Sequence, residues 1–530
     1  MADGDAAPAK ARRGHGRTAA LVALSAAVGS FLFGYDTGVI AGALVYIAPE
    51  FGLEDDPAME GLVVAATLVG AFLGSVAGGA LGDRFGRRRP LFATAALFVG
   101  GGLVMALAPG VGVLIAGRGV VGLAIGVSGA IIPVYIAECA PGAWRGRLAT
   151  YPQLLVALGI FSSYLVDFAV SVAAPASAAW RLMLGISAVP AIVQFLLLLW
   201  LPESPRWLVA RGRRDAARAV LQRLREPTAA DPELDAELDA IAAAVARDRQ
   251  VAAAAAGTPE ETTRLLPPSP PPGPPAPAAG ADDHDAPAGP AGPAARWTWA
   301  DVKGLLARRD VREALLVGAT LQMFAQLSGI NATIYYTPAI LQAAGVTDLF
   351  AGLGLSDASA AILATAITYS LKIPAILVAM QLMDRAGRRR LLLATVPVLA
   401  ATMAGLAVAF SLDPTASPAA AILSMCMVAV YGCCFAAGLG PIPNILCSEI
   451  FPPRARALGL SACLAVQWAF NIAVSQSFPV LVDAIGEVAT FSMFAVQCAL
   501  ATAFVAVAVP ETKGRALESV ADLFADRSIQ

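Results

Sequence analysis

Residues 82–90 read Gly82-Asp83-Arg84-Phe85-Gly86-Arg87-Arg88-Arg89-Pro90, and residues 383–391 read Met383-Asp384-Arg385-Ala386-Gly387-Arg388-Arg389-Arg390-Leu391. Two further pairs recur in the same order at nearly the same spacing. Glu138 stands before Ala140-Pro141-Gly142-Ala143-Trp144-Arg145 as Glu449 stands before Ile450-Phe451-Pro452-Pro453-Arg454, and Pro202-Glu203-Ser204 matches Pro510-Glu511-Thr512. Three ordered pairs imply a duplicated unit. Each copy is embedded in long apolar runs, and a duplicated membrane bundle encloses a central path with two faces.

The bulk numbers agree. The 530 residues are 57% hydrophobic and 14% charged, with mean hydropathy +0.68, against about 25% charge in soluble domains. A net charge of −2 and a pI near 5.9 exclude nucleic acid as an expected partner. The seven cysteines lie in or beside apolar runs and read as packing residues, without zinc-like spacing. The first 17 residues lack an apolar core, so no cleaved signal peptide is expected.

A membrane helix needs about 20 mostly apolar residues. Such runs fall near 20–47, 59–81, 91–109, 111–137, 148–170 and 181–201, then near 313–344, 358–382, 391–411, 418–447, 457–482 and 488–509. The expected fold is an all-α membrane protein of twelve transmembrane helices in two six-helix bundles, residues 20–201 and 313–509. Tails of 1–19 and 510–530 flank it, and an insert of 202–312 carries short helices between the bundles. Alternating connections are arginine-rich on one side and acidic on the other, with Arg181 the one basic exception. The positive-inside rule puts both termini, and the insert, in the cytosol. In the insert, Val220, Leu221 and Leu224 share one helical face, as do Leu234, Leu238, Ile241 and Val245. Residues 251–295 are Ala/Pro/Gly-rich and read as disordered. Within them Glu261-Thr262-Thr263-Arg264-Leu265-Leu266 has the form of a sorting signal for an adaptor.

Ionisable groups inside lipid are costly and usually functional. The sequence offers Asp36 in the first run, Arg118 in the fourth and Lys372 in the eighth. His15 and His284 fall outside every run, so a moving proton needs a carboxylate. Asp36 is the candidate, with Arg118 as the cation that tunes it; the alternative is a permanent structural pair. Amides form a second group: Gln153, Gln322, Gln326, Asn331, Asn444, Gln467 and Asn471, with Trp468 as an aromatic platform. Amides donate and accept, which suits a neutral polyol; interhelical bonding is the competing reading. Asp83 and Asp384 face several arginines across short turns, and Glu138 with Arg145, and Glu449 with Arg454 or Arg456, read as latches of the same kind.

Together these motifs resemble the sugar porter family of the major facilitator superfamily. The resemblance rests on Gly82-Asp83-Arg84-Phe85-Gly86-Arg87-Arg88, Arg118-Gly119-Val120-Val121-Gly122, Pro202-Glu203-Ser204-Pro205-Arg206, Gln326-Leu327-Ser328-Gly329-Ile330-Asn331, Gly440-Pro441-Ile442-Pro443 and Pro510-Glu511-Thr512-Lys513-Gly514. It implies an alternating-access carrier with sugar held between the halves. By resemblance Gln153, Gln322, Gln326, Asn331, Trp468 and Asn471 fall on sugar contacts, and Asp36 with Arg118 on the proton-coupling pair. The turn residues Asp83, Arg84, Arg87, Glu138, Arg145, Glu203 and Arg206, with Asp384, Arg385, Arg388, Glu449, Arg454 and Glu511, fall on the family's cytosolic gate. Three positions depart: Ala325 replaces a glutamine, Asn444 a tryptophan, and Lys372 an asparagine beside the sugar. Lys372 could bind an anionic sugar, form an internal salt bridge or snorkel to the interface.

Plant vacuolar monosaccharide transporters and proton-linked inositol or hexose symporters are the most similar branches. The expected function is therefore proton-coupled transport of a neutral monosaccharide or cyclic polyol, in the vacuolar membrane ahead of the plasma membrane. A passive uniporter and a non-transporting sugar sensor remain alternatives. Neither a catalytic centre nor a metal or cofactor site is expected.

Overall fold

The computed structural model describes residues 17–141, 144–225, 231–256, 308–412, 418–451 and 455–513, and among them every regular element is helical. The sorting motif at 261–266 and Arg454 lie outside these residues, as does the side chain of Asp384.

Twelve membrane crossings follow in chain order. The first half comprises α1 (Arg17–Phe51), α2 (Pro57–Phe85), α3 (Arg88–Ala106), α4 (Val111–Cys139), α5 (Tyr151–Ala173) and α6 (Ala176–Ile186 continued by Ala188–Trp200). The second comprises α7 (Arg309–Leu327 continued by Ile330–Ala343), α8 (Asp357–Ser370 continued by Lys372–Ala386), α9 (Arg388–Ser411) and α10 (Pro418–Ala437 continued by Ile442–Ile450). The helical stretch Arg456–Ala508 supplies both α11 (456–485) and α12 (487–508), because Gly486 adopts φ 79° and turns the chain back. By length and apolarity ten helical stretches qualify as membrane spans. The merger of α11 with α12 and the broken, more polar α7 account for the other two.

Local chemistry explains the boundaries. Pro57 opens α2 while the Asp56 carboxylate accepts from the Met59 amide at 3.1 Å, and Ser356 caps α8 by accepting from the Ser359 amide at 3.2 Å. The three continued helices α6, α8 and α10, with α7, were each expected as one uninterrupted run; the structure breaks them near Ser187, Gly329, Leu371 and 438–441. In the insert the helix Asp231–Ala256 reaches six residues into the stretch expected to be disordered. Its Leu234 and Leu238 meet Leu208, Ala217 and Leu221 in one small core, as their shared faces predicted.

Without a hydrophobic force between helices in lipid, close approach comes from small residues. On α1, Gly34, Gly38 and Gly42 recur every fourth residue against Val156, Ser163 and Asp167 of α5. On α2, Gly70 and Gly74 meet Gly119 and Leu123 of α4, whose Gly122 and Gly126 lie on Thr67 and Ala71. These two seams draw α1, α2, α4 and α5 together and bring Asp36 of α1 near Arg118 of α4. Between halves, α2 packs on α11, α5 on α8, and α1 on α7. Leu21, Val76, Trp200 and Val507, all at least 64% exposed, face outward where lipid would lie.

Candidate functional site

Both copies of the opening motif fold into one construction. Gly86 and Gly387 take φ +91° and +90°, conformations open to glycine, and a side chain at either would collide with Glu203 or Glu511. The Glu203 carboxylate accepts from the Arg87 amide at 2.8 Å, and Glu511 from the Arg388 amide at 3.0 Å. Each glutamate thus caps a helix, α3 or α9, that has no local side-chain cap. Arg87 donates to both Glu138 oxygens at 3.0 and 2.9 Å and to Asp83 at 3.0 Å; Arg388 donates to Glu449 at 2.9 Å. Burial alone would lower the Arg87 guanidinium, but Glu138 and Asp83 outweigh it and hold its proton more firmly. Arg88 and Arg389 tie in the carbonyls of Leu198 and Ala506 at 3.0 and 2.6 Å. The three sequence pairs therefore converge in space, once per half.

Partner choice differs from the expectation. Glu138 pairs with Arg87 rather than Arg145, which is exposed, and Glu449 bonds Arg388 and Thr512. Asp83 does meet a turn arginine as expected, Arg87; for Glu138 the α3 cap brings that same arginine closer than Arg145. Arg84 is exposed and lies over its neighbour Phe85; Arg206 and Arg385 are also exposed, Arg385 offering its carbonyl to Lys513. Arg181, the basic exception at the opposite end, is paired with Glu50 at 2.8 Å.

Deep in the first half, Arg118 and Asp36 are 1% and 3% exposed. Their closest charged atoms stand 3.9 Å apart, too far for a hydrogen bond. Arg118 Nε and Nη1 and one Asp36 oxygen have no hydrogen-bond partner, while Arg118 Nη2 reaches the Val64 carbonyl at 3.4 Å. The pair is in place but not closed.

The break in α7 at Ser328–Gly329, where Gly329 is at φ +91°, folds the helix so that the Asn331 amide donates to Gln326 at 2.7 Å. On an unbroken helix Asn331, five residues beyond Gln326, would lie far round from it; the break brings those two together, while Gln322 donates to Asn444 of α10 at 2.7 Å. Asn471 of α11 accepts from Ser475 at 3.3 Å, Trp468 packs half-buried on the main core, and Gln153 is exposed on α5.

Beside this array lies a small cavity of about 30 Å³, lined by Tyr164 of the first half and by α7, α8 and α10 of the second. Thr333, Thr337, Thr365 and Thr368 line it, each donating its hydroxyl proton to a carbonyl of its own helix. They therefore show lone pairs to the cavity. Lys372 supplies donors: it is 9% exposed, with Nζ 4.8 Å from the Tyr369 ring centre. Burial rules out snorkelling, and no salt bridge to Lys372 forms among the described residues.

Two buried polar groups escaped the sequence reading. Asp167 of α5 and Gln194 of α6 are fully buried with both side-chain polar atoms unpartnered. Asp167 carried the signal used for Asp36, a charge in an apolar run. It lies near the end of that run, where it reads as a boundary residue.

The halves are joined by Tyr164 donating to the Ile334 carbonyl at 3.0 Å, Ser359 to the Ser171 carbonyl at 3.3 Å and Gln476 to the Ala58 carbonyl at 2.7 Å. All three lie at mid-depth or toward the end away from the arginine clusters. The ion pairs of those clusters stay within one half among the described residues. Among the described residues the halves are thus hydrogen-bonded to each other toward one end, the closed end.

The profile of the Sugar (and other) transporter family matches residues 22–261 and 293–524. Monosaccharide-sensing protein 2 of Arabidopsis thaliana is 31% identical, covering 96% of this chain and 98% of its own; the alignment runs over 717 positions, so that relative carries sequence this chain lacks. Inositol transporter 4 of the same plant is also 31% identical, over 95% of this chain and 91% of its own. The inward open conformation of the xylose transporter XylE from E. coli superposes with TM-score 0.72 at 25% identity, covering 95% and 99% of the two chains. The proton:xylose symporter XylE bound to 6-bromo-6-deoxy-D-glucose gives 0.66 at 26%, covering 95% and 98%.

Proposed function

The chain belongs to the Sugar (and other) transporter family, a multi-pass membrane carrier and not an enzyme, and on that footing we propose that it moves a monosaccharide or cyclic polyol coupled to protons. The observation that carries this reading is the buried Asp36–Arg118 pair, held at 3.9 Å without a hydrogen bond. A permanent structural pair would close to contact, since a buried ion pair offsets its desolvation only with good geometry. An open pair is poised to change: a proton on Asp36 frees Arg118, and loss of that proton draws α1 and α4 together. Solute hydroxyls meet amides from α7, α10 and α11 on one side and threonine lone pairs with the Lys372 ammonium on the other. A ligand that both donates and accepts fits that mixture. Resemblance to a proton:xylose symporter supports the coupling, and an inositol transporter among the relatives supports a cyclic polyol.

We further propose that the arginine-bearing end, with both termini, faces the cytosol, on the positive-inside asymmetry, and that the carrier sits in the vacuolar membrane ahead of the plasma membrane. Epitope tags at either terminus that are reachable from the cytosolic face without breaching the membrane would agree; tags reachable only from the other face would reverse it.

Asp36→Asn tests the coupling. It is expected to abolish accumulation driven by a pH gradient in proteoliposomes while solute exchange continues; unchanged accumulation removes Asp36 from the mechanism. A second reading, a sugar sensor, has the name of Monosaccharide-sensing protein 2 in its favour. Purified protein that binds sugar and never moves it would establish that reading instead.

A further inference from the structure

Asp167 has no role in the reading above. Its side chain is wholly buried in the seam between α5 and α1, resting on the Gly42 backbone, and no side chain donates to either carboxyl oxygen among the described residues. Gly42 lies six residues beyond Asp36 along α1, about 9 Å nearer the closed end by helical rise. Unlike Asp36, Asp167 has no cation beside it.

The groups around it are known on every helix that packs against α5. From α1 come the phenols Tyr35 and Tyr46, and Tyr164 stands one turn back on α5 itself. On α6, Arg181 is engaged by Glu50. On α8, Asp357 is exposed at the first turn and Lys372 sits over Tyr369. An anion with no cation beside it in such a place is strongly disfavoured; the neutral acid is the form the seam accommodates.

Its position gives the proton a purpose. Tyr164 and Ser171, three residues before and four after, share its helical face. They make the two hydrogen bonds by which α5 holds the other half, to Ile334 and from Ser359. Asp167 is therefore flanked by the contacts that must break when the closed end opens, and their loss would admit water to it.

We propose that Asp167 is a second proton-binding group of the transport cycle, loaded while the halves are closed at this end and unloaded when they part there. The proposal rests on the proton-coupled reading of the carrier and extends it: two protons, one at Asp36 and one at Asp167, accompany each solute. The step is a protonation alone. While this end is closed the Asp167 carboxylate takes its proton from the arginine-bearing side, and it gives that proton up to water on the other side when the halves part there.

The experiment is a zero-flux measurement on the full chain in proteoliposomes, with membrane potential clamped to zero and a tenfold solute gradient opposed by a pH difference. Each proton contributes a factor of ten per pH unit, so wild type balances at about 0.5 unit if two protons move and about one unit if one does. The proposal expects about 0.5 for wild type and about one for Asp167→Asn, with solute exchange retained. Equal balance points in the two proteins, or a wild type already balanced at one unit, overturn it. A wild-type flux indifferent to pH would defeat the coupled reading itself. Infrared difference spectra guard against misfolding: the carbonyl band of a protonated carboxylic acid at neutral pH should weaken in Asp167→Asn and in the smaller Asp167→Ser. A band unchanged in both overturns the assignment.

Discussion

Asn331 shows how a single side chain reaches its place. It stands five residues beyond Gln326, which on an unbroken helix would set the two amides apart; the turn at Gly329 brings them to 2.7 Å. We predict that Asn331→Ala raises the solute concentration for half-maximal uptake about tenfold, the equivalent of one hydrogen bond of about 1–1.5 kcal/mol, with little change in maximal rate. An unaltered uptake curve would assign Asn331 to helix bonding only. The amides, Asp36, Arg118 and Lys372 were legible in the sequence because each is a polar residue in an apolar run. The pairing of Asp36 with Arg118 was legible too; that of Gln326 with Asn331 was not, since it depends on a helix break. Glu138 shows the same limit: its nearest arginine in sequence is Arg145, yet it bonds Arg87, 51 residues away.

Among the elements, α3 and α9 begin without local caps and take theirs from Glu203 and Glu511. Replacing either glutamate by glutamine keeps the acceptor and removes the anion at a helix N-terminus. Each change is expected to cost about 1 kcal/mol and to lower the melting temperature of detergent-purified protein by a few degrees. Replacement by alanine should cost about twice that. Equal melting for all four variants and the parent would show that the caps carry no stability. The twelve crossings were legible because length and apolarity report them directly. The breaks in α6, α7, α8 and α10 were not, because a run containing Gly329 or Pro441 remains as apolar as one that continues. Gly329 and Pro441 were the available signals, and tertiary contacts decided how the chain used them.

Across the whole molecule, the duplication visible in three sequence pairs became two halves with the same ionic construction at one end and hydrogen bonds between them toward the other. A cysteine pair replacing Ser171 and Ser359, which already touch across the closed end, should stop exchange on oxidation and restore it on reduction, measured against each single variant. Exchange that survives quantitative cross-linking would mean that this end does not open. The arginine-bearing end carries a different consequence. Arg84, Arg145 and Arg147 stand exposed on one rim, Arg385 and Arg390 on the other. Bringing those rims together is work against like charge, so that electrolyte, or acidic lipid head groups, should speed the return stroke. Turnover that rises as salt is added on that side, over the range in which the screening length falls from about 30 to about 10 Å, would identify like-charge repulsion as the force that slows that stroke.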